Sequence, residues 1–114
     1  MEVRIDSDQK ALHPGEELKC HALMQNPTDA IGGEFHVLWY TEGRGTQDIH
    51  LVHSEPFHHI RGRRDYSFSF ELPQQPYSFS GKLISLIWAV EVVIGDSVGR
   101  ATFTLSPHES EITL

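Results

Sequence analysis

The sequence predicts an all-β protein folded as a seven-stranded antiparallel β-sandwich. Seven short segments alternate apolar and polar residues with the two-residue period of a strand. Turn-forming residues separate these segments, and no segment keeps a helical period over several turns. Because each strand has an apolar side, two sheets packed face to face would enclose one shared core.

The first two strands are predicted at residues 2–6 and 17–25. The polar connection between them ends in Pro14-Gly15, a pair that is typical of turns. Only Leu23 interrupts the polar side of the second strand. The apolar side of that strand consists of Leu18, Cys20, Ala22 and Met24.

The third and fourth strands are predicted at residues 34–41 and 48–54. Gly32-Gly33 precedes the third strand, whose residues are apolar on both sides. The fourth strand alternates Ile49 and Leu51 with histidines. We interpret this pattern as an edge strand.

The last three strands are predicted at residues 65–72, 83–94 and 98–106. The first of these has the cleanest alternation in the chain, and a short hairpin turn at 95–97 joins the other two. Five aromatic side chains are predicted to dominate the core: Tyr66, Phe68, Phe70, Trp88 and Phe103.

The length of 114 residues predicts a single domain, residues 1–114, with a core of its own. The tail from residue 107 is acidic. Two alternatives stay open for residues 111–114, which either add a further edge pairing or remain loose.

Charge and composition narrow the class of partner. The formal net charge of −7 disfavours nucleic acid and anionic membranes, so a basic or neutral protein surface fits better. No apolar run approaches the roughly 20 residues that span a bilayer. The first residues lack the basic start and apolar block of a secretory signal, and Cys20 is the single cysteine. We therefore expect a cytoplasmic protein.

Two motifs resemble those of arrestin-like domains, which are immunoglobulin-like β-sandwiches. His13-Pro14-Gly15-Glu16 followed by Leu18 is similar to the turn that leads into their second strand. Residues 72–94 resemble their proline-rich approach, glycine turn and long apolar strand. This second motif consists of Leu72-Pro73, Pro76, Ser78-Phe79, Gly81, Leu86, Trp88, Val90 and Val92. The resemblance covers residues 3–106 and implies a scaffold or adaptor without a cofactor or a reaction. Arrestins pair two such sandwiches, whereas this chain has room for one.

Histidines are concentrated in one short segment, which makes it the candidate metal-binding segment. His50, His53, His58 and His59 lie there, and imidazole with neighbouring carboxylates suits zinc or copper. His50 and His53 are three positions apart, however, so a regular strand would point them to opposite faces. Solvated histidines on an edge strand and loop are the interpretation we favour.

A basic segment follows these histidines. Arg61, Arg63 and Arg64 lie beside His58 and His59, and guanidinium groups bind phosphate or carboxylate oxygens in pairs. These five residues are the predicted binding residues. The alternative is that the arginines contact only solvent or neighbouring carboxylates.

Other candidate features favour structural roles. Residues 43–45 are glycine-rich, but no helix pattern follows to complete a phosphate loop. Cys20 is predicted to be an inert core thiol. Tyr40, Tyr77 and Trp39 are of a type that stacks on sugars, although packing in the core or loops is the interpretation we favour.

The sequence thus predicts a non-enzymatic adaptor that recruits a protein partner through loops or an unpaired sheet edge. Pairing of that edge in two copies would equally make a homodimer. The alternative function is a metal-binding or small-ligand-binding sandwich that uses residues 50–59.

Overall fold

The computed structural model describes residues 1–6, 11–25, 30–43, 47–60, 62–81, 84–107 and 112–113. The structure is all-β, as predicted. None of the described residues belongs to a helix with the length and apolar character that a membrane crossing requires.

Nine strands are formed by the described residues. They are β1 (Glu2–Ile5), β2 (Glu17–Leu23), β3 (Gly32–Gly43), β4 (Ile49–His58), β5 (Asp65–Glu71), β6 (Phe79–Ser80), β7 (Ile84–Ile94), β8 (Ser97–Phe103) and β9 (Ile112–Thr113). Seven of them correspond to the predicted strands. The two additional strands, β6 and β9, have two residues each, too few for an alternating pattern to be recognised.

The strands form two sheets. The smaller sheet has the order β1-β2-β5, and the larger has the order β4-β3-β7-β6-β9, with β8 also paired to β7. All strand pairs are antiparallel except β6 and β9, which are parallel. The prediction of an antiparallel β-sandwich is confirmed. In the tail, Ile112–Thr113 pairs with β6, which is the first of the two alternatives left open for residues 111–114.

The core lies between the two sheets. The predicted inward side of β2, from Leu18 to Met24, is fully or almost fully buried. Trp88 and Tyr66 are buried as predicted, with 0% and 4% of their surface exposed. Trp88 also donates a hydrogen bond from Nε1 to the carbonyl oxygen of Pro76 at 2.8 Å.

Three of the five predicted core aromatics lie at the margin of the core. Phe68, Phe70 and Phe103 are only partly buried, because β5 and β8 have no neighbour on their second side among the described strands. Phe35, which the sequence did not single out, is fully buried. Its strand, β3, lies between β4 and β7 and is therefore covered on both sides.

One side of the sandwich is closed by the packing of β1 beside β8. A Cβ atom at Gly99 would lie 2.6 Å from Val3 Cγ2 and 3.2 Å from the Met1 carbonyl oxygen. Only glycine permits this close approach. The opposite side, where β4 and β5 are the edge strands, is the side that carries the candidate site.

Candidate functional site: the β4 edge

Strand β4 is the exposed edge of the larger sheet, which confirms the edge-strand prediction. Among the described strands it pairs only with β3. Two backbone hydrogen bonds, one at each end of this strand pair, fix which positions of β4 face outward. Thr41 N donates to Asp48 O at 2.9 Å, and His59 N donates to Ile31 O at 3.0 Å. Antiparallel pairs alternate between bonded and non-bonded residues. The residues whose backbone groups point away from β3 are Ile49, Leu51, Ser54, Pro56 and His58.

A β-bulge interrupts the pairing of β4 and changes where the histidines point. Val37 pairs with His53 and Leu38 pairs with Leu51, so Val52 is the extra residue. His50 pairs with Trp39, which lies on the same face of β3 as Val37. The prediction that His50 and His53 point to opposite faces is therefore wrong, because the bulge restores a common direction.

The four histidines are nevertheless not brought together. His50 stacks on Trp39 with ring centroids 5.1 Å apart, and His53 stacks on Phe70 at 4.7 Å. His58 is exposed at the end of β4. Within the described part of the chain, no group of three or more His, Cys, Asp or Glu side chains is placed to hold a metal ion. Each stacked histidine instead extends the aromatic packing of the sandwich margin.

His59 has a structural environment that the sequence did not reveal. It is only 8% exposed, and its Nδ1 is hydrogen-bonded to the Tyr66 hydroxyl. Arg63 lies over the same tyrosine ring, with its guanidinium carbon 4.7 Å from the ring centroid, and donates from Nε to the Asp65 carbonyl oxygen at 2.8 Å. These contacts hold the segment that follows β4 against β5.

The predicted anion-binding residues are thus divided between different environments. His59 and Arg63 are engaged with Tyr66, whereas Arg64 and His58 are exposed. Arg61 lies outside the described residues. Anion binding by this segment stays a prediction.

The side chains of the β4 edge are apolar and acidic. Ile49 and Leu51 are large hydrophobic residues that are 68% and 51% exposed. The charged residues of β3 and β4 are Glu34, Glu42 and Glu55, and neither strand contains lysine or arginine. The absence of lysine and arginine from these two segments can be read from the sequence. That they form one acidic surface follows only from the pairing of β3 with β4.

Beyond β4, the outer face of the larger sheet carries an ion-pair network. Arg100 donates to the Glu91 carboxylate at 2.9 Å, and both ring nitrogens of His36 lie 3.2 Å from carboxylate oxygens of Glu91 and Glu34. The Arg100 guanidinium also lies 5.7 Å from the centre of the Tyr40 ring. The network fixes the position of Arg100 on this face.

Glu91 gives this network a pH dependence. Burial raises the pKa of the Glu91 carboxyl, but the hydrogen bonds and charges of Arg100 and His36 outweigh burial and hold the pKa below its usual 4.5. A carboxylate with a lowered folded-state pKa stabilises the fold above its unfolded pKa. That contribution is lost as pH falls through the folded-state value.

We therefore expect Arg100→Met to raise the pKa of Glu91 and to lower the stability at neutral pH. The variant should lose less stability on acidification than the wild type, because the gap between the unfolded and folded pKa values of Glu91 narrows. Guanidinium unfolding curves recorded from neutral pH to below pH 4.5, together with an NMR titration of Glu91, measure both effects. Arg4→Met, which removes the exposed ion pair of Arg4 with Glu2, is the matched control. Identical acid profiles for the wild type and Arg100→Met would contradict this assignment.

The single cysteine is buried in the core as expected. Burial, with a smaller contribution from the charge of Asp6, raises the pKa of the Cys20 thiol to about 12. The thiol is therefore protonated at neutral pH and is a poor nucleophile.

Comparisons with known proteins identify the fold and not a family. The sequence matches no protein-family model and no curated protein sequence. Among solved structures, the sporulation control protein Spo0M from Bacillus subtilis is similar with a TM-score of 0.56 and 18% identity. The match covers 94% of this chain and 49% of Spo0M, so the chain spans about half of that protein.

Two further structures share the fold. A superoxide reductase (neelaredoxin) from Ignicoccus hospitalis has a TM-score of 0.50 and 10% identity, over 93% of this chain and 81% of that chain. A β-glucosidase from Listeria innocua in complex with gluconolactone has a TM-score of 0.50 and 17% identity, over 96% of this chain and 16% of that chain. At these identities the likeness extends to the β-sandwich architecture alone.

Proposed function

We propose that this domain is a non-enzymatic adaptor that binds an extended peptide segment of a partner protein by strand addition to β4. The observation that carries the proposal is an exposed edge strand with outward backbone groups beside the exposed side chains of Ile49 and Leu51. Strand addition gains affinity from main-chain hydrogen bonds and specificity from alternate side chains.

The choice of β4 over β5 rests on their side chains. The outward-facing positions of β5 are Asp65, Ser67, Ser69 and Glu71, all of them polar and exposed. Polar and charged edges disfavour pairing with another strand. At β4 an added strand would instead cover apolar surface, which strengthens the association.

Pro56 limits where a partner strand would pair. It occupies one of the outward-facing positions of β4 and has no N–H to donate. Ile49, Leu51 and Ser54 offer outward N–H groups before it. Pairing is therefore concentrated on residues 49–54.

The charge of the surroundings specifies the chemistry of the peptide. Glu34, Glu42 and Glu55 on β3 and β4 favour lysine or arginine side chains in the partner. The net charge of −7 adds long-range attraction for a basic segment. We therefore propose a peptide that alternates apolar and basic residues.

Other features support the protein class and the cellular compartment that we propose for this domain. The turn at His13–Glu16, where Glu16 N donates to His13 O at 3.0 Å, leads into β2 as the arrestin-like pattern requires. A single cysteine cannot form an internal disulfide, which suits a reducing compartment such as the cytoplasm. The raised pKa of the buried Cys20 thiol argues against thiol chemistry. On these grounds we propose that the domain is a cytoplasmic, arrestin-like adaptor.

The proposal is tested with two synthetic peptides of equal length. One alternates valine and lysine, and the other alternates valine and glutamate. We expect the lysine peptide to bind in a fluorescence anisotropy titration, with weaker binding at high salt, and the glutamate peptide not to bind. Leu51→Pro removes an outward N–H and an apolar side chain, so it should weaken binding at least about threefold.

Ser69→Pro is the matched control, because it removes an outward N–H from the other edge strand and leaves β4 intact. Equal binding of both peptides, or equal loss in Leu51→Pro and Ser69→Pro, would reject the proposal. Self-association of the protein without peptide would assign the β4 edge to a second copy of the chain instead.

A further inference from the structure

Two strands share one side of β7 and leave a cleft between them. Phe79 of β6 pairs with Leu86, and Phe103 of β8 pairs with Trp88, so that Ile87 lies at the junction. The cleft at this junction has a volume of about 490 Å³. Sites for small molecules usually have volumes of about 300–1,000 Å³.

Several hydroxyl groups line this cleft. Ser85, Thr102 and Thr104 contribute side-chain hydroxyls that form no hydrogen bond to another described residue. Ser78, deeper in the cleft, differs because it is 2% exposed and its Oγ accepts a hydrogen bond from Leu105 N at 3.0 Å. The first three hydroxyls are thus available to a ligand, whereas Ser78 has a structural role.

Tyr40 and Glu42 line the cleft from β3. Tyr40 pairs with Ile87 of β7, and Glu42 pairs with Ser85. Arg100, held by Glu91 at 2.9 Å, lies over the Tyr40 ring and restricts its movement. The cleft therefore combines a positioned aromatic ring with a carboxylate and several hydroxyls.

This lining selects among classes of ligand. Among the described residues that line it there is one carboxylate and neither lysine nor arginine, a lining that disfavours phosphates and carboxylates. Its hydroxyls both donate and accept hydrogen bonds, and a carboxylate accepts from neighbouring hydroxyls of a ligand. The Tyr40 ring offers an apolar surface for C–H groups. A molecule with many hydroxyls and no charge matches all three features.

We propose that the cleft between β6 and β8 binds a neutral saccharide. Of the three aromatic residues that the sequence suggests for sugar stacking, Tyr40 lines the cleft, whereas Trp39 is stacked on His50 on the other face of β3. Glu42 belongs both to the cleft and to the acidic surroundings of the β4 edge, so a variant outside the cleft lining separates the two sites. Leu51→Pro, which should weaken peptide binding, should leave saccharide binding unchanged.

NMR titration of the full chain with maltose and with cellobiose tests the saccharide site. We expect at least one disaccharide to cause saturable shifts of the backbone amides of Tyr40, Ser85 and Thr102. Glu42→Gln should weaken binding about tenfold, because it removes the charged acceptor, and Thr102→Val should weaken it about 3- to 10-fold. Ser69→Ala, which removes an exposed hydroxyl on β5, should leave the affinity unchanged.

Three outcomes would overturn the proposal. The first is the absence of saturable shifts at the cleft with both disaccharides. The second is an unchanged affinity of the Glu42→Gln variant for the disaccharide. Glu42 is exposed, so this variant should fold and give a valid test even if Thr102→Val is unstable. The third is tighter binding of glucose 6-phosphate than of either disaccharide, which would contradict selection of a neutral ligand.

Discussion

Trp88→Ala is expected to remove a large part of the free energy of unfolding, about 3–5 kcal/mol. Trp88 is fully buried between the two sheets, and it pairs with Phe103 on β8 and Trp39 on β3. Truncation leaves a cavity and also deprives the Pro76 carbonyl oxygen of its hydrogen bond. A domain of this size has a total stability of about 5–15 kcal/mol, so the variant should be marginally folded.

Guanidinium unfolding followed by circular dichroism measures this loss. Trp39→Ala is the control. Because Trp39 is only partly buried, its truncation should lower the free energy of unfolding by less than that of Trp88. If Trp88→Ala does not fold, Trp88→Phe keeps most of the volume and still removes the Nε1 donor, with an expected loss of about 1–3 kcal/mol. A stability of Trp88→Ala within about 1 kcal/mol of the wild type would contradict the core assignment.

Gly33→Ala is expected to destabilise the domain by about 1–3 kcal/mol. Gly33 pairs with Phe57 of β4, and the Phe57 ring lies directly over it, where an added Cβ would overlap the ring. The ring cannot move freely, because it packs against Tyr66 at 5.3 Å and Phe68 at 4.9 Å between ring centroids. The substitution should therefore also loosen β4 from β5.

The neighbouring glycine provides a matched control. A Cβ at Gly32 would meet no atom within 4 Å, so Gly32→Ala should be neutral or slightly stabilising. Thermal unfolding of the two variants under identical conditions gives the comparison. Equal melting temperatures for Gly33→Ala and Gly32→Ala would refute the packing of Phe57 over Gly33.

The sequence was sufficient to predict the strands that have one buried side. The alternation along β2 and β5 corresponds to their observed burial, since a strand at the surface of a sandwich must separate apolar from polar residues. Phe35 was not ranked among the core residues because β3 is apolar on both sides. Its burial follows from the position of β3 inside the sheet, which is a tertiary property.

The site was predictable only in part. The exposed edge at β4 follows from the patterning of the sequence, and the preference that we propose for a basic or neutral partner follows from its charge. The bulge at Val52 has no sequence signature here, and it reverses the expected direction of His53 relative to His50. The saccharide cleft joins Glu42, Ser85 and Thr102 from three strands, so no local motif could indicate it.

Amide hydrogen exchange along β4 tests the central claim most directly, that this edge adds a partner strand. In the free protein, the outward amides of Ile49, Leu51 and Ser54 should exchange rapidly, whereas the amides of His50 and His53, paired with β3, should be protected. On addition of the valine-lysine peptide, we expect the three outward amides to become protected, with no change along β5. Unchanged exchange at Ile49, Leu51 and Ser54 while the peptide is bound would show that the partner binds elsewhere.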